Sequence, residues 1–320
     1  MTVASTEATD GARVGSIDLA PTVEAGAPLA PLSVRPVPLE LAWDAVDPAA
    51  SSRGGLPDSL RARYGGDLFV ALHPARPIVI ANFVSTIDGV VAFDREGRTG
   101  GGEVSGYSEP DRFVMALLRA LADVVIVGAG TVRAGGGEPW TPAGIHPETA
   151  VETAAWRAAL GLAPHPTTVV LTRGGELDVS VPGLSAPDMP VMVLTTPAGS
   201  RRIAPQARAG LVVAETGSDV VDPSAVLDLV SAIGGRVALC EGGPHVLGEF
   251  VRARLVDELF LTLSPRLAGR DPRSPRLGLV EGSAFGPYDA PWLGLRSARR
   301  AGDHLFLRYA RRTVMEEGAA

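Results

Sequence analysis

The sequence predicts an α/β fold: three layers (αβα) around a mixed, mostly parallel sheet, with an antiparallel edge at the C-terminal end. Three observations predict it. From Arg76 onward, short β-branched runs alternate with amphipathic helical patterns, as in strands joined by crossover helices. Two of these strands lead into glycine-rich junctions. The chain then closes on two strand patterns separated by Ala301-Gly302-Asp303, a hairpin signal.

Taken in order, residues 1–35 are rich in Ala, Thr, Ser, Gly and Pro without apolar periodicity, and are expected to be a disordered tail. Residues 36–75 are expected to be a loosely structured lead-in, with a short helix over Pro57–Tyr64 stopped by Gly65-Gly66. The α/β domain spans 76–313, and 314–320 is a C-terminal tail. Ile78–Phe83 reads as a buried strand. Ser108-Glu109-Pro110-Asp111 reads as a helix start, with serine as N-cap, proline in the first turn and an acid at N3. That helix runs to Leu121, with Val114, Leu117, Leu118 and Leu121 as its apolar stripe. Asp123–Val127 is the next strand and Glu148–Leu160 the next helix. Thr167–Leu171, Val191–Leu194 and Leu211–Ala214 are strands. Asp222-Pro223 starts a helix whose Val226, Leu229, Val230 and Ile233 share a face. Arg236–Cys240 is a strand, followed by a helix to about Arg254 and a strand over Asp257–Leu263. The hairpin pairs Trp292–Arg299 with His304–Tyr309.

Composition excludes several function classes. The 320 residues carry 29 cations against 36 carboxylates, a net charge of -7, so no basic face for nucleic acid is expected. Every cation is arginine, which removes lysine Schiff bases, a P-loop lysine and a Tyr-x-x-x-Lys dehydrogenase pair. Cys240 is the only cysteine and the five histidines are scattered, so no metal site is expected. No apolar run approaches a membrane span and no secretory leader pattern opens the chain; a cytoplasmic protein is expected.

The residues that could carry chemistry gather at strand ends. Gly128-Ala129-Gly130-Thr131-Val132 and Glu241-Gly242-Gly243-Pro244 through Val246, Leu247 and Gly248 are strand-to-helix junctions. Glycine lets backbone N–H groups come close to a ligand, and a helix N-terminus suits phosphate. Each junction alone also fits an ordinary tight turn. Asp88-Gly89 after the first strand is equally a turn signal. Asn82, the only asparagine, shares a face with Ile78 and Ile80 and needs a partner, either backbone or ligand. Arg119 could be a solvated cation or a ligand group, and Arg173 could pair with an anion such as a 2′-phosphate.

Taken together and in this order, Asn82–Gly89, Leu117–Val132 and Glu241–Gly248 with Leu255–Leu259 resemble the motifs of the reductase domain of riboflavin biosynthesis. The resemblance covers about residues 76–310. It implies a dihydrofolate-reductase-like fold, a homodimer, and NADPH-dependent reduction of 5-amino-6-(5-phosphoribosylamino)uracil by hydride transfer to C1′. It implies that Val84, Gly128, Ala129, Gly130, Thr131, Val132, Thr172, Arg173, Gly242, Gly243, Pro244, Val246, Leu247 and Gly248 hold the cofactor. It implies further that Asn82, Ser105, Arg119 and Glu241 contact substrate, with Asp88 and Glu241 as candidates for proton delivery. Bifunctional members carry a zinc deaminase; one cysteine cannot supply its ligands, so that activity is expected on a separate protein. Those members usually have lysine where Asn82 stands, and an Asp-Asp-Pro segment where this chain has Gly135–Trp140. Single-domain actinobacterial reductases look closer, with Ala-Asn-Phe at the first strand and Asp-Arg-Phe-Val in the helix. Two other readings stay open: a reductase of a pteridine or other heterocycle, and a non-catalytic NADP-binding protein.

Overall fold

The computed structural model describes residues 37–46, 52–93, 100–135, 137–217, 219–273 and 276–312. The expected tails at 1–35 and 314–320 lie outside the described residues. In chain order the elements begin with β1 (Glu40–Asp44), β2 (Ser52–Gly54), α1 (Asp58–Tyr64), β3 (Phe69–Ala71), β4 (Ile78–Thr86) and β5 (Val90–Ala92). They continue with α2 (Gly101–Ser105), α3 (Glu109–Leu121), β6 (Val124–Gly128), α4 (Ala129–Gly135), α5 (Pro142–Ile145) and α6 (Ala150–Ala159). Next come β7 (Thr167–Thr172), α7 (Pro182–Ser185), β8 (Val191–Thr195), α8 (Pro197–Ile203), β9 (Leu211–Glu215) and α9 (Pro223–Ala232). The last are β10 (Val237–Cys240), α10 (Pro244–Arg252), β11 (Glu258–Ser264), β12 (Leu277–Gly278), β13 (Leu293–Ala301) and β14 (His304–Arg311).

Ten strands form the main sheet in the order β1-β13-β14-β11-β4-β10-β6-β7-β8-β9. From β11 to β9 the neighbours run parallel. The β11–β14, β14–β13 and β13–β1 pairs are antiparallel, which gives the expected mixed sheet with its antiparallel C-terminal edge. Strand alternation divides the core in two. Ile78 and Ile80 of β4, Val237 and Leu239 of β10 and Phe260 of β11 face α3, where Phe113, Val114, Leu117, Leu118 and Leu121 cover them. Val79, Ala81, Ala238 and Cys240 point the other way, onto Val226 and Val230 of α9 and Leu247 and Phe250 of α10.

Two expectations need correction. The lead-in is not loose: Leu39, Leu56, Leu60, Tyr64, Leu68 and Val70 are buried in the α3-side core. Its β1 pairs with β13, and Asp44 of β1 forms an ion pair with Arg299, which is buried and also donates to the Tyr64 carbonyl. These partners lie more than two hundred residues away, so local pattern could not reveal them. Ser108 precedes α3 as expected, but its side chain makes no capping hydrogen bond. Glu109 instead reaches His146 at 2.6 Å and Arg63 of α1. Burial and the nearby Arg63 push the His146 imidazole down to about 4, so it stays neutral and ties α1, α3 and α5 together.

Candidate active site

Register determines which side chains meet at the C-terminal ends of the central strands. Cys240 lies opposite Ala81 of β4 and Ile126 of β6, and the next residue, Glu241, extends that ladder by donating its N–H to the Ile126 carbonyl. Alternation therefore puts Glu241 and Asn82 on neighbouring strands and on the face toward α3. Phe260 lies opposite Asn82, and Thr262 opposite Val84, on the other side of β4. The result is a polar patch at one end of the sheet, beneath α2 and α3.

Arg119 and Glu241, expected to contact substrate, are joined to each other. The Arg119 Nε lies 3.2 and 3.1 Å from the two Glu241 carboxylate oxygens, and Nη2 donates to Oε2 at 2.7 Å. Nη1 donates to the Thr141 carbonyl. Both side chains are nearly sealed, at 6% and 5% exposure. Asn82 is buried at 8% exposure, and its amide has no hydrogen-bond partner among the described residues. The amide atoms are not sealed off, so Asn82 is available to a polar ligand edge. Ser105 closes α2 above this patch, with its hydroxyl donating to the Gly102 carbonyl and its own carbonyl 3.0 Å from His304 Nε2. Val84 packs beneath α2, where a Cβ on Gly101 would sit 3.1 Å from it.

One residue of this patch was read only as a helix-start acid. Asp111, in the first turn of α3, is 5% exposed and turns inward toward the Thr262 and Ser105 hydroxyls. Burial pushes its carboxyl above the usual carboxylate range, against the opposing pull of the Thr262 and Ser105 hydroxyls and His304, with Glu241 adding a smaller push upward. Its short sequence distance from Ser108 and Pro110 explains the helix-start reading; its burial depends on β11, which no local pattern shows.

Asp88 takes a different role from the one expected. It is exposed, and accepts from the Thr86 hydroxyl at 2.5 Å, the Ala268 N–H at 3.1 Å and the Gly269 N–H at 2.7 Å. These bonds, Thr86 foremost, hold its carboxyl down to about 2. A carboxylate so held carries no proton near neutral pH, so Asp88 anchors the loop after β11 and cannot deliver one.

The two glycine-rich junctions come together. A Cβ on Gly242 would fall 2.8 Å from Val246, and one on Gly128 would fall 3.0 Å from the same side chain. A Cβ on Gly243 would lie 3.4 Å from the Thr131 hydroxyl. Gly128, Gly130, Thr131, Gly242, Gly243 and Val246 thus line a narrow cradle at the start of α10, where Pro244 occupies the first turn. Most of the other expected cofactor residues are taken up by packing or local hydrogen bonds. Ala129 and Val132 are buried in the α3-side core, and Leu247 in the opposite core. Gly248 serves packing, because a side chain there would collide with the Glu281 carbonyl. The Thr172 hydroxyl accepts from Gly175 N–H and closes the turn after β7. The Arg173 guanidinium is exposed, with no ion pair among the described residues. Also among the described residues, no three His, Cys, Asp or Glu side chains gather as a metal site would need, and no helix is long and apolar enough to cross a membrane.

A parallel sheet with an antiparallel edge, two glycine-rich junctions that meet and a polar patch beside them fit the oxidoreductase that the chain's relatives are named as. Residues 77–287 match the RibD C-terminal domain, and the chain belongs to that family. It is 27% identical to a 2,5-diamino-6-ribosylamino-4(3H)-pyrimidinone 5′-phosphate reductase of Archaeoglobus fulgidus, over 61% of this chain and 84% of that one. It is 28% identical to a protein of the same name from Methanothermobacter thermautotrophicus, over 73% of this chain and 98% of that one. Among solved structures, a pyrimidine reductase-like protein from Corynebacterium diphtheriae shares the fold, with a TM-score of 0.57, 23% identity, and 74% and 92% of the two chains covered. The Thermotoga maritima deaminase/reductase shares it at a TM-score of 0.55 and 20% identity, over 74% of this chain and 57% of that one. The dihydrofolate-reductase-like fold expected from the motifs is thus the fold found.

Proposed function

We propose that this chain reduces the ribosylamino group of a pyrimidine ribosyl 5′-phosphate in riboflavin biosynthesis, with NADPH as reductant. The observation that carries the reading is the meeting of Asn82 and the Arg119–Glu241 pair on one face of the sheet end, beside the glycine cradle, in a chain of the RibD C-terminal domain family. The two archaeal relatives are named for the 2,5-diamino-pyrimidinone phosphate; the motif resemblance pointed to the uracil that deamination of such a ring gives. Both share the ribosylamino phosphate on which the reaction acts.

The residues present fit a dinucleotide. Gly128, Gly242 and Gly243 add no side chains of their own beside Val246 and Thr131, and the N-terminus of α10 offers unpaired N–H groups to a pyrophosphate. The exposed Arg173 is suited to a 2′-phosphate, which favours NADPH over NADH. When bound, the cofactor supplies the hydride; the protein supplies position and field. The unpartnered Asn82 amide and the Arg119–Glu241 pair orient the pyrimidine. A homodimer in the cytoplasm completes the reading, a location that fits a biosynthetic enzyme.

The test is NADPH oxidation by the purified full chain with the diaminopyrimidinone phosphate, the aminouracil phosphate and a phosphate-free dihydropteridine offered separately. Turnover of either pyrimidine phosphate, with formation of a ribitylamino product, is expected. Turnover of the pteridine alone would replace this reading with that of a heterocycle reductase. Tight NADPH binding without any turnover would leave only a binding protein.

A further inference from the structure

We propose that Asp111 is the proton-holding residue of this site, the acid whose proton reaches the nitrogen when a C=N bond is reduced here. The proposal rests on the reading of the chain as a reductase of a ribosylamino group. Reducing an imine takes two partners. The dihydronicotinamide gives a hydride, which forms a C–H bond at the carbon and leaves the cofactor oxidised. The π pair of the C=N bond moves to nitrogen, which must take a proton. That proton breaks from an O–H bond on the protein, and the carboxylate left behind is reprotonated from water.

Three carboxyls stand at this end of the sheet as candidates for that O–H bond. Asp88 accepts three hydrogen bonds from Thr86, Ala268 and Gly269, and is an anion. Glu241 has both oxygens turned to the Arg119 guanidinium, so neither points a hydrogen at a substrate. Asp111 has no ion pair among the described residues and is 5% exposed. An isolated buried carboxyl is far cheaper to hold neutral than charged.

Burial outweighs its neighbours, which act both ways: the Thr262 and Ser105 hydroxyls and His304 favour the anion, and the Glu241 carboxylate favours the neutral form. The charged groups that bear on Asp111 are Glu241 beyond β10 and His304 at the start of β14; Glu109, Arg112 and Arg119 share its helix and Glu103 lies on α2. From β11 it meets only the Thr262 hydroxyl. Arg119 is taken by Glu241, and His304 Nε2 by the Ser105 carbonyl. The Ser105 hydroxyl, 3.2 Å from the Gly102 carbonyl, also faces the Asp111 carboxyl, as the Thr262 hydroxyl does. Because Asp111 is nearly sealed, its proton leaves through the Ser105 or Thr262 hydroxyl, each able to accept and donate at once. Thr262 lies next to Val84, within the expected cofactor groove.

The experiment has two arms on the full chain. The first needs no substrate: infrared difference spectra, or carbon-13 labelling of aspartate, at neutral pH. A protonated carboxyl signal in the wild type that is absent from Asp111→Asn is expected. The second is the pH dependence of kcat with the pyrimidine phosphate. Wild-type kcat should fall as pH rises through the elevated titration of Asp111, because the deprotonated form has nothing to give. Asp111→Asn should lose at least ~100-fold in kcat and lose that pH limb, with NADPH affinity unchanged. Asp111→Glu should restore the limb. A carboxyl found ionised at neutral pH, or an Asp111→Asn enzyme that keeps both rate and limb, would overturn the proposal. A wild type that does not turn over the pyrimidine phosphate would refute the functional reading instead, and the spectroscopic arm would still decide the state of Asp111. If Asp111→Asn does not fold, the carbon-13 titration of the wild type decides it.

Discussion

At the residue scale, the informative feature is how the charged side chains at the sheet end are divided. Arg119 and Glu241 spend most of their hydrogen-bonding capacity on each other; in the function proposed above, the pair presents a fixed dipole and a defined edge to the pyrimidine. Removing one partner strands the other in a buried place. Arg119→Ala should therefore destabilise the fold by about 3–5 kcal/mol, an order-of-magnitude figure for a broken buried pair. Replacing both, as Arg119→Met with Glu241→Leu, should recover most of that stability, because apolar groups of similar volume need no partner. Activity should not return in the double variant, and substrate KM should suffer more than NADPH affinity in both. Thermal melts and cofactor fluorescence titrations check the three statements. A double variant with wild-type activity would show that the pair only holds the fold together.

At the element scale, the stretch from β4 through α3 to β6 was legible because each element is long, continuous and strongly patterned. Alternation alone put Asn82 on the face of Ile78 and Ile80, where the structure has it. What local pattern could not supply was contact between distant segments. Arg119 meets Glu241 across 122 residues, and Asp88 meets Gly269 across 181. Asp111 read as a helix-start acid because the residue that explains its burial, Thr262, belongs to β11. The β6–α4 and β10–α10 junctions were each readable as glycine-rich turns, yet their meeting at Val246 was not. That meeting makes a sharp prediction. Gly242→Val would drive a side chain into Val246, from which even a bare Cβ would be only 2.8 Å away, and would close the cradle. NADPH binding should fall by at least ~100-fold, or about 2.7 kcal/mol. Gly243→Ala, whose Cβ would meet Thr131 at an ordinary 3.4 Å, should be far milder. Similar losses from both would mean that the cradle is not where the dinucleotide lies.

At the scale of the whole molecule, the sheet is covered unequally. Helices pack on both faces of its parallel half, but the antiparallel half exposes one face. Trp43, Leu295, Leu305, Leu307 and Tyr309 share that face by register, with Leu261 of β11 and Phe83 of β4 continuing it inward. None of these seven is fully buried, and Trp43, Leu295 and Leu305 are each at least 39% exposed. The opposite face of the same strands is sealed by Phe306 and Arg308 against the lead-in residues Tyr64 and Phe69. A contiguous apolar face of this kind marks an association surface, and sheets can pack face to face about 10 Å apart. The homodimer proposed above would use it, as the same patch on two copies meeting about a two-fold axis. Sedimentation of the full chain at micromolar concentration should give a dimer. Leu305→Glu, at the hairpin end of the face and 39% exposed, should give a folded monomer, because the exposed site tolerates a charge in one copy but not between two. A wild type that sediments as a monomer would remove the dimer from the reading. A Leu305→Glu protein that remains dimeric would move the interface elsewhere on the molecule.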